Sequence, residues 1–492
     1  MKFCPQCGNP MIIRQSGSTY FWRCKAFPSC SFMEVIPNHE KLDIIALRKK
    51  LANTVQDSVP QEYEETFQLG DEQQYIFDLI ENSKRNFFIT GRAGTGKSVL
   101  LRHFVRNTSK RVIVLAPTGV AAINIHGQTL HSFFAFDHSA LDPSSVWINV
   151  ETAQILRNID AFIIDEISMV RSDVMECVNR KFQLALKNDL PFGGIQMIAF
   201  GDLFQLEPVV ADAEVRRYLT QNFGGAHFFF APAIQLSNLS IHELKHIYRQ
   251  KDLKFQELLN NIRYGSTDES TIDEINKRRF TISTRKNILT IASTNQIVNR
   301  INNNRLSALP GKLFTYKADL SGDVQECIRY TNESLELKVG AQVMLLRNNW
   351  KDGKLIWANG TLAEIVKLSE DEVWVSINGK SFKVDPVTWD TRKHKFDEES
   401  GKIVTDTVAK FTQFPLCLAW AMTIHKAQGK TFSNVVVDFG RGAFAHGQAY
   451  VALSRCESLT GLYLTKSLRK QDIIVDPAVS AFMKHQVINP NI

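Results

Sequence analysis

The 492-residue sequence predicts an α/β protein built on two parallel sheets, with a small β-barrel inserted into the second and a metal-binding module ahead of the first. Three observations carry that expectation. Short apolar runs such as "FFIT", "RVIVLA", "AFII" and "QMIAF" recur with polar motifs directly behind them, as strands covered on both faces of a parallel sheet do. A second such series, with "NILTIAST", "NVVVDFG" and "LYLTKS", begins after residue 280. Four of the eight cysteines crowd into a short N-terminal segment that cannot bury a core of its own.

That segment, "CPQCGNPMIIRQSGSTYFWRCKAFPSC", holds Cys4 and Cys7 on one turn and Cys24 and Cys30 near another, joined by strands from Met11 to Arg14 and from Tyr20 to Arg23. Four thiolates so spaced make a tetrahedral site for structural Zn²⁺, whose binding would supply the folding free energy of residues 1–37. A disulfide pair or free thiols are the alternatives, and a reducing compartment favours zinc. Tyr20, Phe21, Trp22 and Phe27 interleave with Arg14, Arg23 and Lys25, which suits base stacking with phosphate pairing. The same aromatics would equally pack around the metal or dock a protein. Residues 38–66, charged and with one short helical pattern, read as a linker.

The totals set loose bounds. Fifty-eight Lys and Arg against 51 Asp and Glu give a net charge of +7, which permits a polyanionic partner without demanding one. No apolar run approaches the ~18 residues of a membrane span, and "MKFCPQC" leaves no room for a signal peptide. The expected location is therefore a reducing one: cytoplasmic, and nucleoid-associated if the source is bacterial. Cys177, Cys327, Cys417 and Cys456 stand singly among apolar neighbours and read as small buried hydrophobes.

Residues 67–240 hold the first sheet and its chemistry. In "FFITGRAGTGKSVLLRHF", Gly91, Gly96, Lys97 and Ser98 fill the phosphate-loop pattern between a strand and an amphipathic helix. Backbone N–H groups along Gly91, Ala93, Gly94, Thr95 and Gly96 would cradle the phosphates of ATP, Lys97 would reach the outer ones, and the Ser98 hydroxyl would ligate Mg²⁺. Asp165, ending a buried strand, would hold the metal, and Glu166 would orient or deprotonate the attacking water. Taken singly this pair could cap a helix. Behind a buried strand and downstream of a phosphate loop, catalysis is the stronger reading.

Residues 241–311 and 413–492 form the second sheet, which has no phosphate loop of its own. Its motifs "IHKAQGKT" and "YVALSRCESL" set charged and amide groups in buried-looking sequence, costly unless a nucleotide or polyanion receives them. Two sheets with one nucleotide site imply a cleft, with Arg455 reaching across it to the γ-phosphate, and a motor that opens and closes on hydrolysis. Residues 312–412 change character: the apolar alternation of "NGTLAEIVKLSEDEVWVSINGKSFKVDPVTW", with Asn378-Gly379 as a hairpin turn, predicts the small barrel. Trp357, Trp374 and Trp389 suit its core better than base stacking.

From residue 67 onward the chain resembles the Pif family of superfamily 1B DNA helicases, and more distantly the RecD-like helicases. The likeness rests on an ordered run that includes "LGDEQQ", "GRAGTGKS", "APTGVAAINIHGQTLHSFF", "IIDEISMV", "GDLFQLEPV", "YRQ", "NGTLAEIV", "FPLCLAWAMTIHKAQGKTF" and "GQAYVALSRCESLTGL". It implies two RecA-like domains, a small wedge insertion near 125–158 and a barrel of the Src-homology-three type. It also implies that Gln73 reads adenine, that Gln205 senses the γ-phosphate, and that Arg249 and Arg455 are arginine fingers. Thr118, Gly119, Thr129 and His131, with His425 and Lys426 in the second sheet, match motifs that lie along single-stranded DNA. A zinc pair of His126 and His131 is the alternative, but no third ligand stands nearby. Residues 1–37 resemble the zinc ribbons that end type IA topoisomerases, which take single-stranded DNA; such a ribbon is no part of the helicase pattern.

The function so implied is a 5′-to-3′ ATP-driven helicase, monomeric in solution, acting on single-stranded, forked or structured DNA in repair, recombination or telomere maintenance. A translocase that strips proteins from DNA, or a recruitment module whose ATPase times release, are the alternatives. Intact Lys97, Glu166, Gln205, Arg249 and Arg455 weigh against the last.

Overall fold

The computed structural model describes Cys4, Pro5, Cys7, Cys30, three N-terminal strands, and residues 69–486 except 126, 137–140, 211, 251, 280–287, 324–326, 328–329, 352–353, 358 and 398–401. The linker expected at 38–66 lies outside the described residues, as does His126. The chain divides into two compact units, residues 1–67 and 68–492.

In the first unit Met11–Ser16, Thr19–Cys24 and Met33–Val35 form an antiparallel sheet with Met11 opposite Cys24. The first two are the strands expected from the sequence, each longer than the expected Met11–Arg14 and Tyr20–Arg23, and the third was not expected.

In the second unit, six strands make a parallel sheet: β1 (Phe87–Gly91), β2 (Val112–Ala116), β3 (Gln128–Thr129), β4 (Ala161–Ile164), β5 (Gln196–Phe200) and β6 (Ser240–Leu244), in the order β3-β2-β4-β5-β1-β6. Alternate side chains serve two cores. Phe88, Ile113, Leu115, Phe162 and Ile164 point into one, while Phe87, Ile89, Val114, Ile163 and Phe200 point into the other. Burial on both faces is what unbroken apolar runs require, so the strands read as blocks rather than as alternation.

A second parallel sheet follows: β7 (Leu289–Ala292), β8 (Ala421–Thr423), β9 (Val435–Asp438) and β10 (Leu462–Leu464), ordered β8-β7-β9-β10. Between β7 and β8 the chain builds antiparallel sheets, the largest of five strands: Lys380–Val384, Val373–Ile377, Leu362–Leu368, Gln342–Leu345 and Leu416–Leu418. Its last strand lies beyond residue 412. Asn378 (φ 50°) and Gly379 (φ 79°) make the expected tight turn between paired Ile377 and Lys380. Trp357 is buried in this sheet's core, whereas Trp389 stacks on Tyr330 at 4.9 Å in a separate layer built on the long hairpin Val387–Asp397 and Lys402–Gln413.

The last helix, Pro477–Gln486, is grouped by the sequence reading with the second sheet, but it packs in the core of the first. Val479 and Met483 are buried there, and Phe482 stacks on Phe229 at 4.4 Å. Its amphipathic stripe shows only that one face is buried; the partner, some 250 residues earlier in the chain, is set by tertiary structure.

Candidate functional site

β1 ends at Gly91, and the helix Lys97–Asn107 starts after Gly96, so the loop between them presents its backbone N–H groups at a helix N-terminus. Gly94 needs its φ of 87° and its missing side chain, because a Cβ there would lie 2.4 Å from the Arg249 Cβ. The loop is thus packed directly against the "YRQ" arginine. The Lys97 ammonium donates to the Gly91 carbonyl (2.6 Å) and the Arg92 carbonyl (3.1 Å), and Thr95 Oγ1 donates to Arg92 O (3.0 Å). Burial lowers the Lys97 pKa, while Asp202 and Glu166 oppose that shift. Ser98 is the second residue of the helix and is exposed.

Gln73 is buried against the loop: its Nε2 donates to Gly96 O and its Oε1 accepts from Gly70 N–H, both at 3.3 Å. Tyr248, the first residue of the quoted "YRQ" and given no role in the sequence reading, donates its backbone N–H to Gly94 O (2.9 Å), and its hydroxyl lies 2.7 Å from where a Gly70 Cβ would stand.

Asp165 and Glu166 follow β4, one strand away from the loop strand's neighbour β5. Burial, then the adjacent Glu166, raise the Asp165 carboxyl to about 7, and burial raises that of Glu166 as well. Two carboxyls held partly against their charge are poised for a cation. Glu166 adopts φ 51°, a left-handed conformation rare for a side chain of this kind and common at functional sites.

The second half closes on these groups. Gln428 Nε2 donates to Glu166 Oε2 (3.1 Å) and to Gln205 Oε1 (3.3 Å), joining the carboxylate expected to orient water to the expected γ-phosphate sensor. Gln205 Nε2 in turn donates to Asp202 Oδ2 (3.3 Å). Asp202 pairs with Arg263 at 2.9 Å, neither side chain exposed, and Arg263 also reaches Glu243 at 3.1 Å. Burial would raise the Asp202 carboxyl, but Arg263 and Lys97 hold it below its ordinary range. The sequence reading names neither Gln428 nor Arg263. Gln428 stands within the quoted "IHKAQGKT", and Arg263 falls on the buried face of Phe255, Leu258, Leu259 and Ile262, where an arginine needs a partner.

The two expected arginine fingers come close to each other, and both lose pKa to burial, Arg455 to about 9 with Arg249 as the next cause. Arg455 is turned into its own half, donating to Val451 O (2.9 Å), Ser454 Oγ (2.9 Å) and Lys430 O (3.4 Å). Arg249 Nη1 is buried with no partner among the described residues. Crowded, desolvated guanidiniums of this kind are relieved by an anion.

The expected DNA residues share a design. Thr118 Oγ1 accepts from Ala121 N–H (3.2 Å) and Thr129 Oγ1 from Ser132 N–H (3.1 Å), each starting a helix beyond adjacent strands β2 and β3. Gly119 opens the first of these helices and His131 lies in the second, half-buried. In the second half Thr423 caps the helix Ile424–Ala427, leaving His425 and Lys426 exposed at its start. Thr294 repeats the arrangement behind β7, accepting from Ile297 N–H at 3.4 Å. Thr423 and Thr294 went unnoticed in sequence, although each is a threonine directly between strand and helix.

In the N-terminal unit Cys4, Cys7 and Cys30 have their sulfurs within 4.8 Å of one another, with Cys4 and Cys30 at 3.6 Å. Tetrahedral zinc with Zn–S near 2.3 Å puts sulfurs about 3.8 Å apart, so the three thiols fit. The side chain of Cys24 lies outside the described residues.

A phosphate loop at the carboxyl end of one parallel sheet, facing glutamine and arginine from another, defines the class as two-lobed P-loop nucleotide motors. Residues 68–273 match the family described as PIF1-like helicase, and residues 326–368 match the DNA helicase Pif1 2B domain. An ATP-dependent DNA helicase PIF1 of Emericella nidulans is 31% identical over 84% of this chain, which spans 63% of that protein's length. The ATP-dependent DNA helicase Pif1 of Campylobacter jejuni is 31% identical over 80% of this chain and 92% of its own. Unliganded Pif1 from Bacteroides sp superposes with a TM-score of 0.78 at 34% identity, covering 86% of this chain and 98% of that one. Bacteroides Pif1 with ADP-AlF4 gives 0.77, and the form bound to ssDNA gives 0.63. The chain belongs to the PIF1-like helicase family.

Proposed function

We propose that the chain is an ATP-dependent DNA helicase that travels 5′-to-3′ on single-stranded DNA and opens forked or structured duplexes. The bond from Gln428 to both Glu166 and Gln205 carries the motor reading, because it makes the hydrolytic carboxylate a contact of the opposite lobe. Bound nucleotide and moving lobes are then one equilibrium. Relatives named ATP-dependent DNA helicases, and the solved complexes with ADP-AlF4 and ssDNA, support ATP and DNA as its ligands.

In hydrolysis a water attacks the γ-phosphorus, the bond to the ADP oxygen breaks, and Glu166 takes the water's proton. Ser98 and Asp165 would hold Mg²⁺, which supplies charge neutralisation on the phosphates. Lys97 exchanges its carbonyl partners for phosphate oxygens, and Arg249 and Arg455 offset transition-state charge. Gln73 would read the adenine, and the contacts of Gln73 and Tyr248 with the phosphate loop support that reading. Thr118, Gly119, Thr129, His131, His425 and Lys426 take DNA phosphates at helix starts. Structural Zn²⁺ at Cys4, Cys7, Cys24 and Cys30 would hold the N-terminal strands together.

No helix among the described residues is long and apolar enough to cross a membrane. We place the protein with DNA in the cytoplasm or nucleoid, working as a monomer in solution. Polarity rests on the family alone, and unwinding of two duplexes tests it. One bearing only a 5′ single-stranded tail should be opened; opening only of the 3′-tailed duplex overturns the direction.

A further inference from the structure

The short helix Gln448–Leu453 belongs to the second lobe, with Ala449, Val451 and Leu453 in that lobe's core, yet its start and its Tyr450 meet the first lobe. At its start Gly447 lies so close to Gln205 that a Cβ would fall 2.2 Å from the Gln205 carbonyl oxygen. One turn later the Tyr450 hydroxyl, buried at 3% exposure, accepts the backbone N–H of Ala93 at 3.0 Å. Just beyond the helix end comes Arg455, whose guanidinium is bonded back to Val451 and Ser454. A single rigid turn thus touches the glutamine sensor, the phosphate loop and the arginine finger.

Ala93 is the third residue of "GRAGTGKS", a loop whose N–H groups exist to meet phosphate oxygens. Here one of them is engaged by an oxygen from the other lobe, a phenol that also feels the charges of Asp202, Arg263 and Arg455. With Arg455 meeting the γ-phosphate, as the proposed function has it, the donor the phenol covers is one that the terminal phosphate would use. One N–H makes one good bond, so phenol and phosphate compete for it.

We propose that Tyr450 is a positioning residue whose hydroxyl stands in for a phosphate oxygen on Ala93 N–H, so that arrival of a triphosphate displaces it and shifts the arginine-bearing helix. This rests on the loop being the nucleotide site. Burial pushes the phenol up to about 12, so the group that leaves is a neutral hydroxyl and does not repel the incoming anion.

Tyr450→Phe in the full chain keeps the ring and removes the competitor. Wild-type binding of a fluorescent ADP and DNA-stimulated ATP hydrolysis establish the nucleotide site independently, so failure there is a failure of the functional reading instead. In the absence of DNA the variant should bind a non-hydrolysable ATP analogue about three- to tenfold more tightly than wild type, the worth of one neutral hydrogen bond, with ADP affinity nearly unchanged. KM for ATP should fall together with kcat, because the helix no longer registers the triphosphate. Hydrogen exchange over residues 91–96 should be faster in the variant without nucleotide and equal to wild type with the analogue. Equal shifts in analogue and ADP affinity, no shift in either, or unchanged exchange in the loop would overturn the assignment. So would faster exchange spread over the strands of both sheets, which marks Tyr450 as a packing residue.

Discussion

Arg263 and Asp202 carry opposite charges with neither side chain exposed, and their bond joins the helix Leu253–Tyr264 to the loop behind β5. A buried pair contributes little net stability over an apolar pair, but removing one partner strands the other. Arg263→Met should therefore cost about 3–5 kcal/mol in urea unfolding. Adding Asp202→Leu should recover most of that stability without restoring ATPase activity, since Gln205 has then lost the carboxylate that orients it. Equal stability of the single variant and wild type would show the pair to be expendable. Lys97→Ala should reduce ATP hydrolysis to background while single-strand binding persists, because among the described residues its ammonium bonds to the phosphate loop alone. Retained DNA-stimulated turnover would remove Lys97 from the site. The placement of Lys97, Asp165 and Glu166 behind strands was legible because it lies in local spacing. Arg263, Gln428 and Tyr450 were not, because each acquires its role from a partner 61 to 357 residues away in the chain.

The element that most departs from the sequence reading is the last helix, and the polar contacts at its start explain how it is held. His227 Nε2 meets Asp476 Oδ2 at 2.9 Å, and Asp476 N–H donates to His446 Nδ1 at 2.8 Å, while His446 Nε2 donates to Leu203 O at 2.6 Å. His446 is thus neutral with its proton on Nε2, and a second proton on Nδ1 would remove an acceptor. Burial lowers its pKa, His227 adds to that, and Glu207 and Asp476 oppose it. A histidine depressed in the folded state binds more protons when unfolded, so stability rises with pH through that window. It should be fully present above the unfolded value of ~6.5 and decline as pH falls below it. The melting temperature should drop between about pH 7 and 5, and His446→Gln should flatten that segment of the curve. An equally steep segment in the variant would assign the dependence elsewhere. Turn chemistry at Asn378-Gly379 was readable because the dipeptide alone dictates the φ signs. The helix's docking was not, since one apolar stripe fits any apolar floor.

At the scale of the whole molecule, two sheets with one phosphate loop already implied a cleft, and the order of motifs implied the family. What composition could not supply is how the N-terminal unit serves the motor, because the two units are separately compact and each has its own chemistry. The three described thiols of the proposed ribbon fit zinc, and its sequence interleaves aromatics with Arg14, Arg23 and Lys25. If those three cations each neutralise a DNA phosphate, deleting residues 1–37 should leave saturated ATPase nearly unchanged, since Lys97, Glu166 and Arg455 lie in the other unit. Single-strand affinity should weaken, and the slope of log K against log salt should fall by ~2, at ~0.7 per phosphate. Cys4→Ser should reproduce the deletion by removing a ligand on which folding depends. Trp22→Ala, by contrast, should cost about 1–3 kcal/mol of stacking with little change in salt slope, because it carries no charge. Fluorescent oligonucleotide titrations across a salt series separate the two contributions, and a strong chelator should convert the intact protein to the behaviour of the deletion. Equal affinities and equal slopes for intact and truncated protein would leave the ribbon as a docking element for another protein rather than a second hand on DNA.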